Sequence, residues 1–252
     1  MSLFEQNNLE GLRINADKKN WKAVLNFVQN DIFPSSFFFF FCSERGPCLI
    51  IFTSKISKND IFNIEHFLEK LPIGVSDSPE DLIFKNFVTN SVERIYKVTQ
   101  TSNIEVPTSI IDGNAFEIRL SRILIEALNY NDFFIEEKNR INITIQLSFL
   151  ALVLVDKNKL LSTIIENEED SQSSNIDQGL LDFFNEVQEI EKDETVEEWV
   201  KNWIVLNSNI QNLSEIYFVI ESICQVLEIK SFAPKVKSTI ISILKYIGEK
   251  SI

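Results

Sequence analysis

Histidine is almost absent from this sequence, with His66 the only one in 252 residues. That count excludes a His-based catalytic triad and a multi-histidine metal site. Six glycines in the whole chain leave little room for a Gly-rich phosphate loop, and none of the known patterns is present. Cysteine is scarce and odd in number: Cys42, Cys48 and Cys224 point to a reducing cytoplasm rather than a disulfide framework. No stretch approaches the roughly 20 uninterrupted apolar residues that a membrane helix needs. The N-terminal MSLFEQNNLEG carries neither the basic nor the apolar region of a signal peptide. Clustered Lys and Arg are also missing, which argues against nucleic acid as a partner.

What remains is a globular composition, 44% apolar and 24% charged, in a chain long enough to bury a full core. The net charge of −13 is concentrated. Residues 166–199 hold thirteen Asp or Glu against one Lys, a net −12. This segment reads either as a solvated linker and helix face or as a dock for a basic partner or peptide. Within it, Glu166–Gln178 is polar and Ser-rich and is predicted to be an exposed loop.

The most informative stretch is Phe37–Phe52, FFFFFCSERGPCLIIF. Two apolar runs flank a turn at Ser43-Glu44-Arg45-Gly46-Pro47. Runs with no polar face suit adjacent antiparallel strands, Phe37–Cys42 and Cys48–Thr53, in a sheet covered by helices. The cysteines face each other across the turn, either as a metal or redox pair or as two small apolar residues of a buried hairpin. A helix is expected over Asp17–Asp31, with Ala23, Val24, Phe27 and Val28 as its apolar stripe and Pro34 as its stop. A second is expected over Ser57–Leu71, capped by Ser57, with His66 at its surface or in a capping role. Asn90–Gln100 reads as a strand. From Ala115 the pattern turns helical: Ala115–Asn129, a buried helix at Ile141–Val155, then Leu180–Glu191, Thr195–Leu206, Leu213–Glu228 and Pro234–Gly248. The expected class is α+β, with a mostly antiparallel sheet in the N-terminal half and a mainly helical C-terminal half, taken as a single domain over 1–252.

The hairpin also carries a resemblance. It is similar to the F-F-x-R-Y-x-x-x-G-P-H-L-R-L-R-F hairpin in the C-terminal elimination domain of lantibiotic dehydratases and their relatives in thiopeptide biosynthesis. Gly46, Pro47 and Leu49 stand in that pattern. Phe41 replaces its first Arg, Cys48 its His, and Ile50 and Phe52 its later Arg residues. Tyr96 begins YKVTQTSNIEV, similar to the family's Y-x-P-E-x-E-R-Y-G-G but without the Glu-Arg-Tyr-Gly-Gly core. The helix Phe116–Leu128 resembles the one that follows. Ile220–Val226 occupies the place of H-M-x-x-N-R-L without its His or Asn-Arg. Glutamate elimination needs a base and cationic groups for the developing charge. The family's Arg and His at those motifs are gone here.

The resemblance therefore implies a stand-alone relative, the thiopeptide pyridine synthase. Such an enzyme joins two dehydroalanines in a formal [4+2] aza-cycloaddition and then releases water and the leader peptide. Holding two peptide segments together is the main demand, and no cofactor or metal is implied. The implied partners are the modified precursor peptide, leader and dehydrated core, and other enzymes of the pathway. The candidate catalytic residues are Ser43, Tyr96, Arg119 and Ser121. Glu44, Arg45, Gln100 and Arg122 are candidates for substrate binding. Each has a plainer reading: Arg45 as an exposed turn residue, Tyr96 as a core aromatic, Arg119 as a solvated side chain, Arg122 as the i+4 partner of Glu126. Two rival functions stand beside this one. The chain is a non-catalytic peptide-binding or scaffold protein, or a glutamate-elimination enzyme with relocated catalytic groups.

Overall fold

The computed structural model describes residues 10–34, 37–42, 47–72, 90–95, 113–130, 136–154, 178–190 and 195–250. The protein is α+β, with a four-stranded antiparallel sheet in its N-terminal half and a mostly helical C-terminal half. It divides into two compact units. The first comprises residues 1–104, 113–137 and 226–228, and the second comprises 105–112, 138–225 and 229–252.

In the first unit the chain runs β1 (Glu10–Asn15), α1 (Trp21–Phe27), β2 (Phe37–Cys42), β3 (Cys48–Thr53), α2 (Lys58–Leu68) and β4 (Ser91–Ile95). The sheet order is β2-β3-β1-β4. This β-α-β-β-α-β path is the split-βαβ, ferredoxin-like arrangement. The two apolar runs of the hairpin pair as expected, from Phe37 opposite Thr53 to Cys42 opposite Cys48. Five of the six β2 residues are buried, so neither face of this strand meets water. The expected strand at Asn90–Gln100 is observed as Ser91–Ile95, with 96–100 outside the described residues.

β1 is the strand that the patterns did not disclose. It inserts between β3 and β4 and pairs with both. Leu12 and Ile14 alternate with Gly11, Arg13 and Asn15, a short period-2 signal that puts the apolar pair on one face only. Gly11 lies opposite both Phe52 and Ile95. A Cβ at Gly11 would lie 2.9 Å from the Phe52 ring and 3.2 Å from Ile95 Cβ. Gly11→Val is therefore expected to destabilise the protein by about 1–3 kcal/mol through overpacking. Urea denaturation checks this, and an unchanged midpoint would show that the ring moves aside freely.

The helices have local causes. Asp17 accepts from Lys19 N–H at 2.8 Å and opens a single 3-10 turn before α1. A π turn, Val28–Ile32, ends it, closed by Phe33 N–H on the Val28 carbonyl at 2.7 Å. At α2 the capping box is complete: Ser57 Oγ accepts from Asp60 N–H and Asp60 Oδ2 accepts from Ser57 N–H. Trp21 stacks on Phe41 at 4.4 Å, and Phe27 stacks on Phe67 at 4.1 Å. Trp21 and Phe41 thereby tie α1 to one face of the sheet, and Phe27 ties α2 to α1. α3 (Gly113–Tyr130) packs on β2 and α1.

The second unit holds α4 (Glu137–Val153, from Lys138), α5 (Gln178–Ile190), α6 (Glu198–Asn207), α7 (Leu213–Val226, to Gln225) and α8 (Ala233–Lys250). α4 is buried on most faces, as its composition predicts. Its polar residues turn inward and bond back along the helix, Thr144 to the Arg140 carbonyl and Ser148 to the Thr144 carbonyl. Trp203 of α6 donates its indole N–H to the Leu147 carbonyl at 3.0 Å. Asn212 opens α7 by accepting from Glu215 N–H, while Glu215 accepts from Gln211 N–H. Pro234 sits in the first turn of α8, where its missing N–H costs nothing. The acidic loop predicted at Glu166–Gln178 lies outside the described residues except for Gln178, which begins α5.

Candidate functional site

Register and side-chain alternation together make a polar row across the sheet. Cys42 lies opposite Cys48, Cys48 opposite Asn15, and Asn15 opposite Ser91. Residues directly opposite share a face, so the four project together. They are on the face away from Trp21 and Phe41. Asn15 Nδ2 donates to Ser91 Oγ at 2.9 Å, and Arg13 Nε donates to Asn15 Oδ1 at 2.9 Å. Arg13 belongs to the next row, opposite Ile50 and Glu93. On the same face Phe38, Phe40 and Phe52 form an aromatic corner over β2 and β3, with Phe38 and Phe52 stacked at 5.3 Å. The face thus joins an aromatic corner to a polar, cationic flank.

Cys48 is fully buried, and its thiol donates to the Cys42 carbonyl at 3.2 Å. The hydrogen bond to the Cys42 side chain, followed by burial, pushes the Cys48 thiol far up. Arg13 pulls the other way, and Glu228 adds to the rise. At neutral pH Cys48 is a thiol and a poor nucleophile. Glu228 is the one described non-glycine residue with positive φ, at 56°. It follows α7 as the left-handed residue of a Schellman turn, whose bond runs from Ile229 N–H to the Cys224 carbonyl at 2.9 Å. Glycine is the ordinary occupant of that place; a side chain there costs about 1 kcal/mol.

The second feature is on α3. Ser121, one of the predicted catalytic residues, is fully buried, and its Oγ accepts from the Phe39 N–H at 3.1 Å. Among the described residues β2 is an edge strand, so this hydroxyl satisfies a backbone donor that no described strand reaches. Arg119 and Arg122 are exposed on the same helix, and Arg122 reaches the Pro34 carbonyl at 3.5 Å. The helix therefore turns Ser121 inward and both arginines outward, and does not bring them together. One turn before Ser121 is Glu117. Its Oε2 is buried, with no hydrogen-bond partner among the described residues. Burial raises its carboxyl from 4.5 to about 7. That value suits a group that gives and takes a proton near neutral pH.

Of the other predicted site residues, Ser43, Glu44 and Arg45 in the turn, and Tyr96 and Gln100, lie outside the described residues. His66 is exposed on α2, with Nδ1 at 3.3 Å from Glu69, the surface role expected of it. Sequence reasoning passed over Arg13, Asn15, Ser91, Glu117 and Glu228. The alternation in β1 could have found the first two. Among the described residues, no group of three or more His, Cys, Asp and Glu is disposed to hold a metal. No described helix is long and apolar enough to cross a membrane.

No protein-family profile matches the chain, and no curated protein matches it. Any functional reading rests on the hairpin, the polar row and Glu117.

Proposed function

We propose that this protein acts in thiopeptide maturation as a pyridine-forming macrocyclase. It joins two dehydroalanines of a modified precursor peptide by aza-cycloaddition and then eliminates water and the leader peptide. The resemblance in the hairpin motivates the pathway, and the in-register pairing of Phe37–Cys42 with Cys48–Thr53 is compatible with it. The observation that favours catalysis over mere binding is Glu117. Cycloaddition through an imidic-acid tautomer, and the eliminations after it, need a proton donor and acceptor near neutral pH. A carboxyl raised to about 7 by burial, with Oε2 buried and without a hydrogen-bond partner among the described residues, meets that need. No metal, nucleotide or redox cofactor enters the reaction.

A second reading is a non-catalytic protein that presents the precursor peptide. It is favoured by the state of the other groups: Cys48 is held as a thiol, Ser121 is committed to Phe39, and the α3 arginines point outward. A mass assay beside a binding titration separates the readings. The protein alone, given a linear dehydrated azole-bearing peptide, is expected to release water and the leader amide. Binding without any mass change supports the presenting role. Loss of glutamate from a glutamylated peptide supports elimination. Either of these last two results overturns the macrocyclase.

A further inference from the structure

We propose that Cys42 and Cys48 form a thiol–disulfide site, at which a low-molecular-weight disulfide converts the two thiols to a cross-strand bond tying β2 to β3. The two are register partners on one face of adjacent antiparallel strands. Directly opposite residues in such a pair have Cα atoms about 4.5 or 5.5 Å apart, depending on the hydrogen-bonding site. Both values lie within the roughly 4.4–6.8 Å that a disulfide spans. The Cys48 thiol already lies against Cys42, donating to its carbonyl at 3.2 Å. Cross-strand Cβ atoms lie somewhat wider apart than a relaxed disulfide prefers, so the bond is a strained and readily reduced one.

Exposure sets the order of events. Cys42 is partly exposed and Cys48 is buried. The Cys42 thiolate attacks oxidised glutathione and displaces one glutathione thiolate, leaving a mixed disulfide. Cys48, held as a thiol, attacks the Cys42 sulfur slowly, passing its proton to the departing glutathione sulfur as the second glutathione leaves. The pair gives up two electrons and two protons, and one oxidised glutathione becomes two reduced ones. Cys224 is a built-in control: it is buried in the second unit, and burial pushes its thiol up to about 12.

The test uses the full chain equilibrated with oxidised glutathione, denatured in the presence of an alkylating agent so that every remaining thiol is reached, and digested with trypsin. Arg45 lies between the two cysteines, so trypsin separates the reduced pair into two peptides and leaves the oxidised pair joined. The expected product is the joined peptide, lighter by two hydrogen atoms than the sum of its reduced parts, with Cys224 alkylated. In Cys48→Ser the resolving thiol is gone, and the glutathione adduct is expected to persist on Cys42. Alkylation of both thiols in the native sequence, or a glutathione adduct that persists equally in the native protein and in the variant, overturns the proposal. The joined peptide is read in the native protein, so a misfolded variant does not blunt the test.

Discussion

Glu117→Gln is expected to stabilise the protein by about 1–3 kcal/mol at about pH 8 and to change little at about pH 4.5. Burial raises the folded carboxyl to about 7, against an ordinary value of 4.5. Folding therefore favours the protonated form. The native protein keeps full stability from this site below the unfolded value and loses it as pH rises through the folded one. Above about 7 a charge must be held in a place where Oε2 has no partner among the described residues. The amide cannot ionise, so its advantage opens across that window and then levels off. Urea midpoints of both proteins between acid and mildly alkaline pH check this. A difference independent of pH would mean that Glu117 titrates as an ordinary surface carboxyl. Under the macrocyclase reading the same variant is expected to slow conversion by about 100-fold with peptide binding retained. A gain in stability with a loss in turnover is what a group kept for chemistry at a structural cost produces.

Trp21→Ala is expected to cost about 3–5 kcal/mol, enough to lower the melting midpoint by about 10 °C. The ring is fully buried and stacked on Phe41 at 4.4 Å, so its removal opens a cavity between α1 and the sheet. It also leaves the Ala16 carbonyl without the indole N–H now bonded to it at 3.0 Å. Phe62→Ala is the matched control, because Phe62 is 66% exposed on α2. Its cost is expected to stay within about 0.5 kcal/mol. Equal losses in the two variants would show that the α1–sheet contact contributes nothing beyond side-chain size.

Much of the fold was legible locally. The β2–β3 hairpin followed from two apolar runs around a Gly-Pro turn, because a strand without a polar face has to be covered on both sides. α2 followed from Ser57 and its apolar stripe, and the start of α8 from Pro234. β1 was not read, although it is central. Its five residues from Gly11 to Asn15 carry only two large apolar side chains, Leu12 and Ile14, too short a signal to stand out. The candidate site fared less well. Ser121 was singled out as a hydroxyl on the right helix, and its oxygen proved to serve a strand edge. Glu117, four residues earlier, looked like any helix carboxylate, because burial of one oxygen leaves no mark in local sequence.

The sequence by itself determined the elements that draw on near neighbours: the runs that become strands, the caps, the helix faces, and the absence of histidine clusters and phosphate loops. Tertiary structure decided what stands beside what. Asn15 and Ser91 are 76 residues apart, yet they meet because β1 enters between β3 and β4 and brings four short side chains into one row. The same pairing sets Arg13 where it acts on Cys48, and the packing of α3 turns Glu117 away from water. Spacing along a chain fixes which side chains share an element's face. Hydrogen-bonded register and burial fix their partners and protonation, and both arise only when distant segments have met.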